Sequence, residues 1–351
     1  MKYNLILPLL LVVTTNIAFG QSETDIQSEN SNVERVFKTD VLNEIGTVYL
    51  SEVELFRPTL YAFDTDLNKL FVYDYGHRNL YSVFLEPLEE SLKVLELNEV
   101  GNGVGSGPKE FRNPTDICIT GDKVIVIDSD LARVTIWDVD SETLLSSFRP
   151  RKFVPFRIAC NEEKIVLYNA NPGKDSDFVV YDNEGKLISF LKDEEDSEKG
   201  PGMRMESGYL SMNDSIVVFT RTDVELMKAY DHEQMELAGK ELYVSTNFTE
   251  SKTDITRGKE QVVYKRSDEF LYRSRGVGVY NDYVIMLYSG RTDAYSKTLD
   301  FYKIDDLSYA FSVQLEHFTN TLRINGDMAV LRTYDTDRKE NMLTFYKLTE
   351  F

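Results

Sequence analysis

The sequence has few positive charges, few histidines and, after its first 20 residues, no long apolar run. Its 39 Lys and Arg residues face 59 Asp and Glu residues, which gives a formal net charge of −20 at pH 7. Nucleic acids and anionic lipid surfaces attract cationic proteins, so this charge excludes both as expected partners and otherwise favours solubility. A membrane span needs roughly 18 consecutive apolar residues. No later segment provides them, so we expect no membrane insertion.

The sequence also lacks the short motifs of common enzymes. Its three histidines, His77, His232 and His317, have separations that form no local metal motif. It contains no Gly-x-Ser-x-Gly elbow, no Walker loop and no dinucleotide fingerprint. The glycines of residues 101–107 precede a β-rich segment, so no helix N-terminus follows them to bind a phosphate. The sequence therefore predicts no cofactor, assigns no catalytic residue and favours a protein without catalysis.

Residues 1–20 are typical of a secretory signal peptide. Lys2 provides the positive end, residues 5–13 form the apolar core, and residues 18–20 form a small-x-small cleavage site. We expect cleavage after Gly20 and a mature protein that is periplasmic or secreted. Because Gln21 rather than Cys follows the cleavage site, the sequence predicts no lipoprotein anchor.

The mature chain divides into a polar leader and an all-β domain. Residues 21–38 contain few apolar side chains, so we expect a flexible leader. In residues 39–351, short β-branched and aromatic runs alternate with Gly, Asn and Asp, without helical periodicity. These runs recur as six copies of one unit, which predicts a single six-bladed β-propeller. Their most regular, near-continuous apolar strands are residues 69–74, 123–128, 164–168, 215–219, 283–288 and 328–332.

The last copy is incomplete at its C-terminal end. The first five copies each have a fourth strand, whereas the sixth stops at Phe351. The segment 41–50, which precedes the first copy, has the alternating pattern that a pairing strand needs. We therefore predict that this N-terminal strand completes the last blade and closes the ring.

One segment carries a more specific motif. Its glycine-rich start and the two strands that follow contain Gly103, Gly105, Gly107, Pro108, Phe111, Pro114 and Asp128. Residues 101–138 resemble an NHL-type repeat, and the whole chain resembles the six-bladed TolB-like propellers exported by Bacteroidetes. The resemblance implies a fold and an exported location rather than a reaction, since most members of that group have no established activity. Lactonase-like and lyase-like propellers hold a metal in the central channel, so the resemblance allows a channel Ca²⁺ whose ligands remain unassigned.

Arginines recur where the chain re-enters each predicted blade near the central channel. They are Arg57, Arg112, Arg157, Arg204, Arg273, Arg275 and Arg323. If their side chains converge, they form a cationic funnel that suits carboxylate, sulfate or phosphate groups. The alternative is that each arginine pairs locally with an Asp or Glu and joins neighbouring blades.

Two cysteines and two long insertions leave further alternatives open. Cys118 and Cys160 have similar apolar contexts, so either a disulfide between neighbouring inner strands or two buried free thiols fits. The acidic insertion 193–205 indicates a solvated turn or a cation site. The longest insertion, 244–270, indicates a mobile loop or a flap that faces a partner.

Together these observations favour a monomeric, non-catalytic binding or scaffold module for a protein partner or an anionic carbohydrate. The alternative function is a metal-dependent hydrolase or lyase with its site in the central channel. Carboxylates and histidines that converge on the channel would favour the enzyme, whereas arginines and aromatic residues there would favour the binding module.

Overall fold

A computed structural model describes most of the chain after its N-terminal segment. It describes residues 35–64, 69–87, 92–151, 153–169, 178–191, 208–221, 227–231, 237–238, 254–257, 262–265, 274–288 and 296–349. The predicted signal peptide and most of the predicted leader therefore lie outside the described residues. Among the described residues, no helix has the length and apolar character needed to cross a membrane.

The strands form six four-stranded antiparallel sheets arranged as blades around a ring, which confirms the predicted six-bladed β-propeller. Blade 1 contains β2 (Pro58–Phe63), β3 (Lys69–Asp74), β4 (Asn79–Pro87) and β5 (Leu92–Glu99). Blade 2 contains β6 (Pro114–Thr120), β7 (Lys123–Asp128), β8 (Arg133–Asp138) and β9 (Leu144–Phe148). Blade 3 contains β10 (Pro155–Cys160), β11 (Lys164–Asn169), β12 (Phe178–Asp182) and β13 (Leu187–Leu191).

The second half of the ring repeats this arrangement. Blade 4 contains β14 (Gly208–Met212), β15 (Ile216–Arg221), β16 (Met227–Asp231) and β17 (Leu237–Ala238). Blade 5 contains β20 (Ser274–Tyr280), β21 (Tyr283–Tyr288), β22 (Thr298–Lys303) and β23 (Tyr309–Gln314). Blade 6 contains β24 (Phe318–Asn325), β25 (Met328–Asp335), β26 (Glu340–Leu348) and β1 (Leu42–Tyr49).

The N-terminal strand completes the last blade, as predicted. β1 pairs antiparallel with β26, with Leu42 opposite Leu348 and Tyr49 opposite Met342. A 3₁₀ helix, Leu50–Val53, follows β1 and leads into blade 1. Its two end residues are buried in the apolar core between blades 6 and 1. Sheet pairing at one end and apolar packing at the other therefore close the ring.

The second strand of each blade explains the near-continuous apolar runs of the sequence. In β7, Val124 and Val126 pack toward blade 1, while Ile125 and Ile127 pack toward blade 3. These four side chains are at most 1% exposed. Each such burial stabilises the fold by about 1.5–3 kcal/mol. The strand needs apolar residues at every position because both of its faces are covered by neighbouring blades.

The first strand of each blade is the innermost one and lines the central channel. We call the end of the channel where these inner strands begin the upper mouth, and the end where they stop the lower mouth. Five inner strands have a β-bulge at their start, between Pro58/Leu60, Pro114/Asp116, Pro155/Arg157, Ser274/Val277 and Thr319/Thr321. Because a bulge redirects side chains, these bulges set which residues face the upper mouth.

Residues 35–38, the last part of the segment predicted as a flexible leader, pair with blade 5. The amide of Ser312 donates to the carbonyl of Val36 at 2.8 Å, and the amide of Lys38 donates to the carbonyl of Ser312 at 2.9 Å. Arg35 donates to both carboxylate oxygens of Asp300, at 2.9 and 3.0 Å. Asp300 is fully buried in β22, and a buried carboxylate needs such a partner. Residues 35–38 therefore belong to blade 5 rather than to the leader.

The long insertion also contains regular structure. β18 (Asp254–Arg257) pairs antiparallel with β19 (Val262–Lys265), so part of segment 244–270 is a hairpin rather than an irregular loop. Ile255, Thr256 and Val262 are β-branched residues, which favour strands. The acidic insertion 193–205 lies outside the described residues.

Candidate functional site

The central channel widens at its lower mouth into a cavity of about 930 Å³, which we call the funnel. Its lining combines residues of the inner strands, such as Ile158 and Ile324, with polar residues of the turns that follow them, such as Asn161 and Asp214. Ile158 itself is almost fully buried in the core between blades 2 and 3. A concave site on which several polar groups converge is a usual form of a binding site.

The rim of the funnel is acidic. In five blades the turn after the inner strand contributes one carboxylate to the lining, whereas in blade 5 the lining residue of this turn is Asn281. The five carboxylates are those of Asp64, Asp122, Glu162, Asp214 and Asp327. Asp140 adds a sixth carboxylate, and Arg323 is the one Lys or Arg side chain among the described lining residues. Lys347 lies 3.3 Å from Asp327 and compensates part of this charge. The rim therefore attracts positively charged ligands.

The rim carboxylates are spread around the ring rather than gathered at one point. Within the described part of the chain, no three His, Cys, Asp or Glu side chains are placed to hold a metal ion. The arrangement suits an extended ligand with several positive charges better than a single ion. A channel Ca²⁺ remains a prediction without assigned ligands.

An ion pair crosses the channel at the floor of the funnel. Arg323 of blade 6 donates to Asp116 of blade 2, whose carboxylate is fully buried. The same carboxylate accepts the amides of Ile117 at 3.0 Å and Ile158 at 3.1 Å. Burial lowers the pKa of Arg323, but the charge of Asp116 outweighs it and raises this pKa above its ordinary value. The pair fixes blade 2 to blades 3 and 6.

Arg157 and Arg275 also join neighbouring blades. Arg157 Nε donates to the carbonyl of Gly208 at 2.6 Å, and its Nη1 donates to the carbonyl of Thr115 at 3.0 Å. Arg275 Nη1 donates to Asn320 Oδ1 at 2.9 Å. Inner strands have one unpaired edge, so their carbonyls need donors from side chains. These arginines supply donors between blades, although their partners here are mostly carbonyl oxygens rather than the carboxylates we expected.

Two of the remaining predicted arginines lie at the other end of the channel. Arg57 and Arg112 are exposed at the upper mouth, and Arg204 and Arg273 lie outside the described residues. The structure therefore places Arg323 in the funnel and two of the arginines at the opposite end of the channel. A single cationic funnel built from all seven is not what the described residues form.

Arg57 and Arg112 do not occupy equivalent positions in the loops that enter blades 1 and 2, since they are offset by one residue. Asp74 accepts the amides of Phe56 and Arg57, whereas Asp128 accepts the amides of Arg112 and Asn113. Arg57 is therefore the counterpart of Asn113, not of Arg112. The two prolines that follow, each at the first position of an inner strand, agree with this alignment.

Asp74 and Asp128 act as structural residues that hold the loop entering each blade. Asp74 accepts four backbone amides and also lies 2.6 Å from His77 Nδ1. Burial raises the pKa of Asp74, but its hydrogen bonds, led by the one from the amide of Arg57, outweigh this and lower the pKa below 3.8. His77 is thus bonded to a structural carboxylate at the upper mouth.

The lowered pKa of Asp74 predicts an acid-dependent stability difference. A carboxylate with a lowered folded-state pKa stabilises the fold above its unfolded value of 3.8, and this contribution disappears as the pH falls through the folded value. We expect the Asp74→Asn variant to be less stable than the parent at pH 5 and above, and the difference to become smaller below pH 4. Urea unfolding at each pH measures this, with Asp122→Asn as the surface-charge control. A difference that stays constant down to pH 3 would contradict it.

The NHL-like motif residues hold blades 1 and 2 together. Gly103 has a φ of 78°, a conformation that favours glycine. The carbonyl of Gly107 accepts from Arg133 at 2.7 Å. Phe111 packs 5.6 Å from the Tyr73 ring and 6.3 Å from the Trp137 ring. Gly105, Pro108 and Pro114 belong to the same loop and strand start.

The two cysteines form a disulfide between β6 and β10. The Sγ atoms of Cys118 and Cys160 are 2.15 Å apart, and their Cα atoms are 6.3 Å apart. Both residues line the funnel. The structure thus has the bridged arrangement and not the two free thiols that were the other interpretation of the sequence.

The acidic rim was not identified from the sequence, because its residues belong to ordinary tight turns. Asp and Asn are common in turns for conformational reasons alone. The available signal was their recurrence at the same point of each repeat. The dipeptides are Gly121-Asp122, Asn161-Glu162, Asn213-Asp214, Asn281-Asp282 and Gly326-Asp327.

Comparison with known proteins supports the fold. No protein-family profile and no curated protein sequence matches the chain. Among solved structures, the chain is similar to BF0058 of Bacteroides fragilis, a protein assumed to be exported. The identity is 12%, the TM-score is 0.50, and the match covers 90% of this chain and 98% of that one.

Two further structures show weaker similarity. BamB from Moraxella catarrhalis matches at 10% identity and a TM-score of 0.43, over 89% of this chain and 99% of that one. The WD40 β-propeller domain of Doa1 matches at 11% identity and a TM-score of 0.46, over 84% of this chain and 79% of that one. At these identities the comparison with BF0058 shows the propeller fold alone.

Proposed function

We propose that this chain is an exported, non-catalytic binding or scaffold propeller that holds a protein partner in its funnel. The observation that carries the proposal is the funnel itself, a cavity of about 930 Å³ between the inner strands with a carboxylate from each of five blades at its rim. Rigid β-strands form the wall, so the site is preorganised and loses little entropy on binding.

The charge of the rim favours one of the two predicted ligand classes. An anionic carbohydrate would meet carboxylates of the same sign at the funnel, which opposes binding there. A protein segment that carries Lys or Arg side chains would pair with these carboxylates. We therefore assign the funnel to a basic segment of a protein partner.

Two features support an exported location. The N-terminal residues have the charge, apolar core and cleavage site of a signal peptide. The disulfide between Cys118 and Cys160 is a bond that persists mainly in oxidising compartments. Membership of the NHL-type or TolB-like propellers of Bacteroidetes rests on the motif in residues 101–138.

A titration with short peptides tests this function. We expect the mature protein to bind tetralysine in calorimetry, more weakly as salt rises, and not to bind tetraglutamate. The variant Asp122→Asn, Glu162→Gln, Asp214→Asn should lose about 10-fold or more in affinity, since each lost charge-assisted contact is worth about 0.5 kcal/mol or more.

A matched triple variant controls for net charge. Glu52→Gln, Glu86→Gln, Glu184→Gln removes the same number of carboxylates from exposed positions outside the funnel. It should bind tetralysine as the parent does. Equal loss in both triple variants would mean that general charge, not the funnel, attracts the peptide, and the proposal would fail.

A further inference from the structure

Arg332 occupies a position that other blades fill with a buried side chain. In β25 it lies opposite Thr321, immediately after the bulge of the inner strand. The same position relative to the bulge is held by Tyr73 in blade 1, Ile127 in blade 2 and Tyr168 in blade 3. These three are at most 3% exposed. An arginine therefore stands where the repeat otherwise places a core residue facing the next blade.

The surroundings of Arg332 do not satisfy its charge. Its Nε is buried and has no hydrogen-bond partner. Tyr61 of blade 1 lies beside it, since the Tyr61 hydroxyl is 2.7 Å from Thr321 Oγ1 and 3.3 Å from the carbonyl of Val330, both in blade 6. Burial lowers the pKa of Arg332, and the nearby charge of Arg57 lowers it further. A half-buried cation normally has a partner that offsets the cost of desolvation.

Arg57 points toward the same seam. Its counterpart Asn113 extends to the preceding blade, where its Oδ1 accepts from the hydroxyl of Tyr75 at 3.1 Å. The charge of Arg57 also acts on Arg332, which places the two arginines near each other at this seam.

The other channel arginines differ in this respect. Arg323 has a carboxylate, Arg157 has two carbonyl oxygens of other blades, and Arg275 has an amide oxygen. Across the described ranges, neither Arg57 nor Arg332 forms an ion pair with a carboxylate. The seam thus brings together two cations and an unsatisfied N–H donor.

We propose that the upper end of the seam between blades 6 and 1 binds an oxyanion through Arg332 and Arg57. The ligand group is a carboxylate, sulfate or phosphate, whose oxygens accept from the guanidinium groups of Arg332 and Arg57. This site is at the opposite end of the channel from the funnel, so its occupancy and peptide binding at the funnel are separate properties.

Calorimetry with three small anions tests this site on the mature protein. We expect saturable binding, with one site per chain, of sodium sulfate, sodium phosphate or sodium galacturonate at constant ionic strength, and no binding of galactose. The anion with the lowest Kd identifies the group that the site prefers. Arg332→Gln and Arg57→Gln should each weaken the binding by about 10-fold or more, because each removes a charge-assisted hydrogen bond.

Arg112→Gln provides the matched control. Arg112 is exposed, precedes the next inner strand and carries the same charge, but lies at the blade 2 entrance. Its replacement should leave the Kd unchanged. Absence of saturable binding by all three anions would overturn the proposal, and so would an unchanged Kd in Arg57→Gln, an exposed substitution that leaves the core intact.

Discussion

Deletion of residues 41–50 is expected to abolish the cooperative thermal unfolding transition of the propeller. The deletion removes all the sheet pairing on the outer edge of β26, from Leu42 opposite Leu348 to Tyr49 opposite Met342. It also removes Val48 and Leu50 from the core between blades 6 and 1. The last blade would keep an exposed strand edge, which favours aggregation. Scanning calorimetry of the parent and the deletion variant measures the effect.

A peptide provides the control for this deletion. Addition of a synthetic peptide of residues 39–52 should restore the transition, because an added strand can pair with an open sheet edge. Asn43→Ala changes one exposed residue of β1 and should leave the transition in place. A deletion variant that melts at the temperature of the parent would show that β1 does not close the ring.

Asp116→Ala is expected to destabilise the protein by about 3–5 kcal/mol, the usual cost of removing one partner of a buried ion pair. The substitution leaves Arg323 without its carboxylate. It also leaves the amides of Ile117 and Ile158 without their acceptor. Urea unfolding at pH 7 gives this free energy directly.

A double variant separates the ion pair from the amide contacts. Asp116→Ala with Arg323→Leu removes both charges, so the buried cation no longer opposes folding. The double variant should be more stable than Asp116→Ala alone. Asp122→Ala, an exposed residue of the same blade, should change stability by no more than about 0.5 kcal/mol. If Asp116→Ala is as stable as this control, the channel pair contributes nothing to the fold.

Strand positions were predictable from the sequence because burial on both faces leaves a direct pattern. The predicted segments 69–74, 123–128 and 283–288 coincide with β3, β7 and β21. Ring closure was equally predictable, since the sixth repeat lacked one strand and the N-terminal segment had its pattern. The apolar strand pattern recurs in six repeats, so a wrong interpretation of one repeat does not change the predicted fold.

The candidate sites were less predictable from the sequence, because a shift of one residue in the alignment of two repeats changes which side chains are equivalent. Arg57 and Arg112 look equivalent in the sequence, yet the amides bound by Asp74 and Asp128 show that Arg57 matches Asn113. Arg332 ends an apolar run, where it looks like an ordinary solvent-facing strand terminus. Its pairing with Thr321, directly after the bulge, shows that it occupies a position held by core residues in other blades.

The pairing of β1 with β26 has a consequence for how the chain is made. Leu42 and Leu348, which pair with each other, are 306 positions apart. Ribosomes add roughly 5–20 residues per second, so the second partner emerges roughly 15–60 s after the first. Throughout that time the strand that closes the ring has no partner. A prematurely terminated product is therefore an open ring with unpaired strand edges. Such edges expose the chain to aggregation and to recognition by chaperones and proteases, until the last strand has been made.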